Sequence, residues 1–271
     1  MQVVFWGVRG SVAVGGPEVA RVGGNTSCVE LLHEGHRLVL DGGTGLAALG
    51  RSLGGPAQAT VLFTHVHWDH IQGVPFFTPL YIPTSRVHLM GARLNGQGLR
   101  EALDAQMRPP TFPVGLDAFQ AQLTFGDVEP STTFDVGPFK VEALAMDHPD
   151  GVLVYRVEAG GRTVVFATDV EHGRQLDPAL VRLARGADLL IHDAQYTGSE
   201  YRGEGGPSRV GWGHSTWEQA VACARAADVE RLALFHHDPN RDDAGVALIE
   251  QRAQERMPLT FAARERTPVC L

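Results

Sequence analysis

Apolar residues fall along the first half of the chain in short unbroken runs: Val3–Val8, Cys28–Leu32, Arg37–Leu40 and Ala59–Thr64. Runs of this length, bounded by glycine pairs such as Gly42-Gly43 and Gly54-Gly55, predict buried β-strands. The rhythm returns after Thr132 with strands at Phe139–Leu144, Val152–Glu158, Thr163–Ala167, Asp188–His192 and Arg231–Phe235. Helices are expected over Gly98–Met107, Pro178–Arg185, Ser215–Ala227 and Ala244–Arg256, with Ser215 and Glu218 in capping-box register. Residues Phe76–Pro130 are richer in Pro and Gly and hold only the first of those helices. They predict an inserted excursion that covers a cleft or caps a sheet edge. No repeat or low-complexity linker divides the chain, so residues 1–271 are expected to form one α/β domain of two sheets covered by helices.

Composition removes several classes. The formal net charge of −8 provides no basic field for gripping a long nucleic acid. Cys28, Cys223 and Cys270 are odd in number and far apart, which points to a reducing compartment without a disulfide framework or a zinc knuckle. The opening stretch MQVVFWGVRGS has no basic segment followed by a long apolar one, and no run reaches the roughly 18 apolar residues of a membrane span. A cytoplasmic location is the expectation.

The chemistry concentrates in His65-x-His67-x-Asp69-His70, directly after the run ATVLFT. Residues two apart at a strand end point the same way, so His65 and His67 can converge, with Val66 and Trp68 expected to face the core. Asp69 and His70 follow at a turn, and Ile71–Val74 is expected to open a helix. Imidazoles with a carboxylate suit zinc, manganese or iron, not an oxygen-only ion. Further candidates follow other strand-like runs: His148, Asp169, and the adjacent His236 and His237. Asp41 also ends a run, where it fits a carboxylate that holds an imidazole ligand better than a ligand itself.

In the order Asp41, His65-x-His67-x-Asp69-His70, His148, Asp169, His236, the chain resembles the metallo-β-lactamase superfamily over essentially its whole length. That resemblance implies an αββα sandwich, two mixed β-sheets flanked by helices, with a two-metal site on one edge. It implies His65, His67 and His148 around one cation, Asp69, His70 and His236 around the second, and Asp169 bridging. The cofactors implied are two divalent ions, zinc first, with manganese or iron as alternatives. The segments Asp188–Asp193, Gly213-His214-Ser215-Thr216 and Phe235-His236 are similar to the phosphodiesterase branch, which includes ribonuclease Z and cyclic-phosphate phosphodiesterases. There His214 would assist at the scissile phosphate and Asp193 would orient it. Ribonuclease Z usually has Glu at the Asp193 position. Asp69 has a second role open to it, orienting water.

The implied reaction is hydrolysis of a phosphodiester by metal-bound hydroxide, on a small cyclic nucleotide or sugar phosphate. A ribonuclease Z-like endoribonuclease acting on RNA 3′ ends is the alternative, less favoured because of the net charge. A metal-bearing binding or sensor module with weak turnover is the alternative of another class. Arg9, Asn25 and Arg209 are candidate phosphate contacts, with surface solvation the plainer role, and Tyr155, Tyr196, Tyr201 and Trp212 candidate stacking surfaces, with packing the plainer role. No membrane partner is expected, and a homodimer is left open.

Overall fold

A computed structural model describes residues 1–93 and 96–271; Leu94 and Asn95, within the expected excursion, lie outside the described residues. The first sheet holds β1 (Gln2–Gly7), β2 (Cys28–His33), β3 (His36–Leu40), β4 (Gln58–Phe63), β5 (Arg86–Gly91) and β6 (Gln122–Asp127). The second holds β7 (Thr133–Val136), β8 (Phe139–Met146), β9 (Val152–Ala159), β10 (Arg162–Ala167), β11 (Leu189–Asp193), β12 (Arg231–Phe235) and β13 (Thr260–Ala262). The last strand, β14 (Pro268–Cys270), returns to the first sheet beside β1, giving the order β14-β1-β2-β3-β4-β5-β6 against β13-β12-β11-β10-β9-β8-β7. Each sheet is antiparallel on one side and parallel on the other, with the change at β3 and at β10.

Between the sheets, Phe5, Leu31, Leu38 and Leu40 meet Val141, Tyr155, Phe166, Ile191 and Phe235 in one buried cluster. Alternate residues of the same strands point outward and are covered as well. Val39, Val61, Phe63 and Leu89 lie under α1 (Thr44–Leu53), α2 (Trp68–Ile71) and α3 (Leu99–Gln106). Val154, Val165, Leu190 and Leu232 lie under α4 (Pro178–Leu183), α6 (Trp217–Ala226) and α7 (Asp243–Gln254), while the short α5 (Gly198–Arg202) stands apart from that cluster. Burial on both faces is why these strands read as unbroken apolar runs rather than alternations. The architecture is the expected αββα sandwich. Among the described residues no helix is long and apolar enough to cross a membrane.

Several expectations need correction. The excursion supplies β5 and β6, the last two strands of the first sheet, with β6 at its edge. Trp68 is 59% exposed rather than turned to the core, because the extended conformation stops at Phe63 and Trp68 already begins α2. That helix spans Trp68–Ile71, so Ile71–Val74 ends a helix instead of opening one. The capping box of α6 lies one residue later than expected, on Thr216 and Gln219. Ser215 instead donates its hydroxyl to the Val170 carbonyl. Helix α1 was unforeseen because Gly45 and Gly50 sit inside it. A Cβ on Gly45 would lie 2.6 Å from the backbone nitrogen of Gly7, so glycine is what lets the helix rest on β1.

Candidate metal centre and active site

The site's residues arrive from the ends of strands in both sheets, and three of them turn sharply to do so. Asp41, Asp169 and His236, which follow β3, β10 and β12, all have positive φ, at 63°, 55° and 59°. This is a conformation that non-glycine residues seldom adopt, and it swings each side chain out of its strand's alternation.

His65, His67 and His148 form one group, and Asp69, His70, Asp169 and His236 a second; within each group the ligating atoms lie within 4.8 Å of one another. In the first, His148 Nε2 stands 3.1 Å from His67 Nδ1. His148 Nδ1 donates to the Gly213 carbonyl at 3.0 Å, which leaves Nε2 as the nitrogen free to ligate. In the second, His70 Nε2 and His236 Nε2 each stand 3.3 Å from Asp169 Oδ2. The other oxygen of Asp169 faces the first group, 3.9 Å from His65 Nε2 and 3.8 Å from His148 Nε2. Asp169 thus lies between the groups with one oxygen toward each. His237 is elsewhere, with its Nε2 on the Ala263 carbonyl at 3.1 Å.

Asp41 is a holder rather than a member of either group. Its Oδ2 accepts from His70 Nδ1 at 2.8 Å and from the Ser27 hydroxyl at 2.9 Å, and its Oδ1 accepts the Thr64 backbone N–H at 2.8 Å. The carboxylate therefore fixes the His70 tautomer with Nε2 inward.

The electrostatics are those of a cation site. Burial, aided by the neighbouring imidazoles, holds His65 well below its ordinary pKa. Burial alone would depress His70 too, but Asp169, Asp69 and Asp41 outweigh it and raise its pKa well above the usual value. Burial would raise Asp169, yet the imidazoles of His236, His70 and His65 outweigh it and depress its pKa. His65 Nε2 and His70 Nε2 are buried without a hydrogen-bond partner among the described residues. Orphaned imidazole nitrogens aimed at carboxylates fit divalent transition-metal ions.

Beside the groups sits the His214–Asp193 pair, with His214 Nδ1 on Asp193 Oδ2 at 2.8 Å. Asp193 is wholly buried and also accepts the backbone N–H groups of Asp169, Gln195 and Ser215, each at 3.1 Å. Burial acts against a charge on His214, but Asp193, with Asp169 and Asp69 behind it, pushes its pKa up to about 9. His214 Nδ1 is also 3.8 Å from Asp169 Oδ1.

Sequence reasoning passed over several supports. The Ser11 backbone N–H donates to Asp69 Oδ2 at 2.7 Å, and Gln195 Oε1 lies 3.3 Å from His236 Nδ1. A Cβ on Gly10 would sit 2.5 Å from His236 Nδ1, so that glycine makes room for a candidate ligand. The candidate phosphate contacts fall differently from expectation. Arg9 is wholly buried and donates to the carbonyls of Gly23, Asp238 and Arg241, where it pins loops together. Asn25 holds Glu265, at 2.9 Å. Tyr155 is buried with its hydroxyl on the Phe63 carbonyl, a packing role, and Trp212 is half exposed.

A third group, His172, His192 and Cys223, lies apart and buried. His192 Nδ1 donates to the Asp193 carbonyl at 2.7 Å, and His172 Nδ1 accepts the Asp177 N–H at 3.1 Å. Those assignments leave one Nε2 as donor and the other as acceptor, and the two meet at 3.0 Å. The imidazoles satisfy each other, and burial pushes the Cys223 thiol up to about 12, so this group closes as a hydrogen-bonded strut.

A family model described as Beta-lactamase superfamily domain matches residues 36–237. Ribonuclease Z of Thermoplasma acidophilum is 26% identical over 241 residues, covering 72% of this chain and 74% of its own. The metallo-β-lactamase fold protein YhfI from Bacillus subtilis superposes with a TM-score of 0.74 at 18% identity, covering 99% of this chain and 98% of its own. A diphosphatase from the PhnP family superposes with a TM-score of 0.72 at 17% identity, covering 100% of this chain and 97% of its own.

Proposed function

The chain belongs to the metallo-β-lactamase superfamily, and on that premise we propose that residues 1–271 form one domain that hydrolyses a small phosphodiester at a dinuclear metal centre. His65, His67 and His148 would hold one cation, Asp69, His70 and His236 the other, and Asp169 would be shared. When bound, such a pair supplies Lewis acidity, neutralising charge on the phosphate and making water a better nucleophile at neutral pH. Zinc suits this donor set best, with manganese and iron compatible.

The single observation that carries the reading is the His214–Asp193 pair beside Asp169. Asp193 engages Nδ1, so Nε2 is the nitrogen left to meet substrate. From there it can donate to a non-bridging phosphate oxygen or protonate the departing alkoxide. Asp193, buried and triply hydrogen-bonded by backbone, holds the ring in one tautomer and stabilises its charged form. Asp69, whose Oδ2 is held by the Ser11 N–H, has its other oxygen available to orient a water. Two curated relatives named ribonuclease Z, at 26% identity, favour a second reading, cleavage at RNA 3′ ends. A net charge of −8 gives RNA no long-range attraction, so the small substrate is preferred.

The test is turnover of bis-p-nitrophenyl phosphate with zinc or manganese added back, beside elemental mass spectrometry. His214→Ala should lower kcat by roughly 10²- to 10⁴-fold while metal stays near two per chain. Parallel loss of metal would move His214 into the ligand set. Cleavage of precursor transfer RNA without small-diester turnover would select the second reading.

A further inference from the structure

The segment that leads into His214 is held in place from outside. Glu171 Oε1 accepts the Gly211 N–H at 2.8 Å and also the Tyr201 hydroxyl, and Oε2 accepts the Gly213 N–H at 2.7 Å. On this fixed frame stand Arg209 and Trp212. The Arg209 guanidinium carbon lies 5.1 Å from the Trp212 ring centroid and 4.9 Å from that of Tyr196. The Tyr196 ring meets the His214 ring edge-on at 5.9 Å, so the stack abuts the proposed acid.

Trp212 keeps an open surface, and Arg209 keeps its charge beside it. Trp212 is 51% exposed, and Val210 beside it 58%. Arg209 Nε is buried without a hydrogen-bond partner among the described residues. The carboxylate within ion-pair reach, Asp238, stands 3.8 Å from Nη1, beyond hydrogen-bond length. Two other large exposed apolar side chains lie on the site's own segments. Trp68 stands between His67 and Asp69, and Val12 follows Ser11.

Resting on the phosphodiesterase reading, we propose that Arg209 and Trp212 form a nucleoside-recognition subsite, so that the diester cleaved at the metal centre carries a nucleobase. The base stacks on the open indole surface of Trp212. Arg209 stiffens that indole through its cation–π contact and sets its positive charge beside acceptor atoms of the base or sugar. A phosphate ester without a ring offers nothing for the indole to meet.

Two substrates with one leaving group isolate the claim: thymidine 5′-(p-nitrophenyl phosphate) and methyl p-nitrophenyl phosphate. In each, a water oxygen bonds to phosphorus and the P–O bond to p-nitrophenolate breaks, leaving thymidine 5′-monophosphate or methyl phosphate. The wild-type protein should prefer the thymidine ester by about 10-fold or more in kcat/KM, the range expected for one base on an aromatic ring. Trp212→Ala and Arg209→Gln should each collapse the ratio toward one, and Trp212→Phe should retain most of it. Equal turnover of both esters by wild type, or an abasic ribosyl ester as good as thymidine, would overturn the subsite and leave the phosphodiesterase reading standing. If neither ester turns over with two metals bound, that reading fails, and the subsite is then decided by fluorescence. Thymidine 5′-monophosphate should quench wild type but not Trp212→Phe; no difference would overturn it.

Discussion

His172 and His192 show how much a buried residue pair can contribute without touching a substrate. Burial pushes the His172 pKa down to about 3, with charge repulsion from His192 adding to it, and burial also lowers His192. In the unfolded chain each would titrate near the ordinary value of about 6.5. The folded state therefore binds fewer protons below that value. Stability from the pair is complete above about 6.5 and drains away as pH falls toward 3, the fold opposing protonation throughout. At pH 5 the His172 share of the loss is on the order of 2 kcal/mol. Denaturant unfolding at pH 7.5 and 5.0 should show His172→Gln losing less stability between the two pH values than wild type, although it starts lower. Both proteins share every candidate ligand, so acid release of metal cancels from the comparison. An unchanged pH dependence would mean that the His172 ring is protonated in the native state.

Among the elements, strands buried on both faces were the most sharply legible, and two short alternating ones were missed. β9, β11 and β12 announce themselves as apolar runs, and their ends were displaced by at most one residue. β5 and β6 alternate cleanly, as in Arg86-Val87-His88-Leu89 and Gln122-Leu123-Thr124-Phe125, but over too short a span among Pro and Gly to separate from a loop. The candidate ligands were legible for the same reason as the strands: each follows an apolar run, and the strand's end delivers it to one edge. Ser11, Gln195 and Glu171 gave no such signal, because their partners lie 58, 41 and up to 42 residues away in the chain. Gly213 is the sharpest example. Its φ is +85°, its carbonyl orients His148, and a Cβ there would lie 2.2 Å from His148 Nδ1. Gly211 has nearly the same φ, +82°, with open space around its missing Cβ. Alanine should cost both positions about 1 kcal/mol or more of backbone strain. Only Gly213→Ala should also weaken metal binding, by roughly 10- to 100-fold, the usual effect of losing a ligand's orienting partner. Zinc competition titrations on the two variants would separate these effects. Equal affinities would show that the Gly213 carbonyl does not steer His148.

At the scale of the whole molecule, direct hydrogen bonds link the two sheets near the metal edge, among them Gly10 N–H to the His237 carbonyl at 3.0 Å. The Tyr155 hydroxyl bonds the Phe63 carbonyl at 2.7 Å, and the Leu153 N–H bonds the Thr64 carbonyl at 2.9 Å. Beyond these, the edge gathers two acids and five imidazoles from both sheets: His65, His67, Asp69 and His70 after β4, His148 after β8, Asp169 after β10 and His236 after β12. Such a cluster is strongly coupled and is compensated best by cations bound between the halves. Two bound ions would therefore act as a staple that the unfolded chain cannot use. Each site held at about 1,000 times its dissociation constant would add roughly 4 kcal/mol to the folded state. For a chain of this size a single such contribution moves Tm by roughly 10 °C. Calorimetry before and after chelation should show a drop of at least that size, reversed by zinc. Asp169→Asn, which removes a full charge from the carboxylate between the two groups, should start nearer the chelated wild type and respond less to chelator. A Tm indifferent to chelation in a protein carrying two ions would instead mean that hydrophobic packing of the sandwich alone fixes the edge. The ions would then bind a preformed site without holding the sheets together.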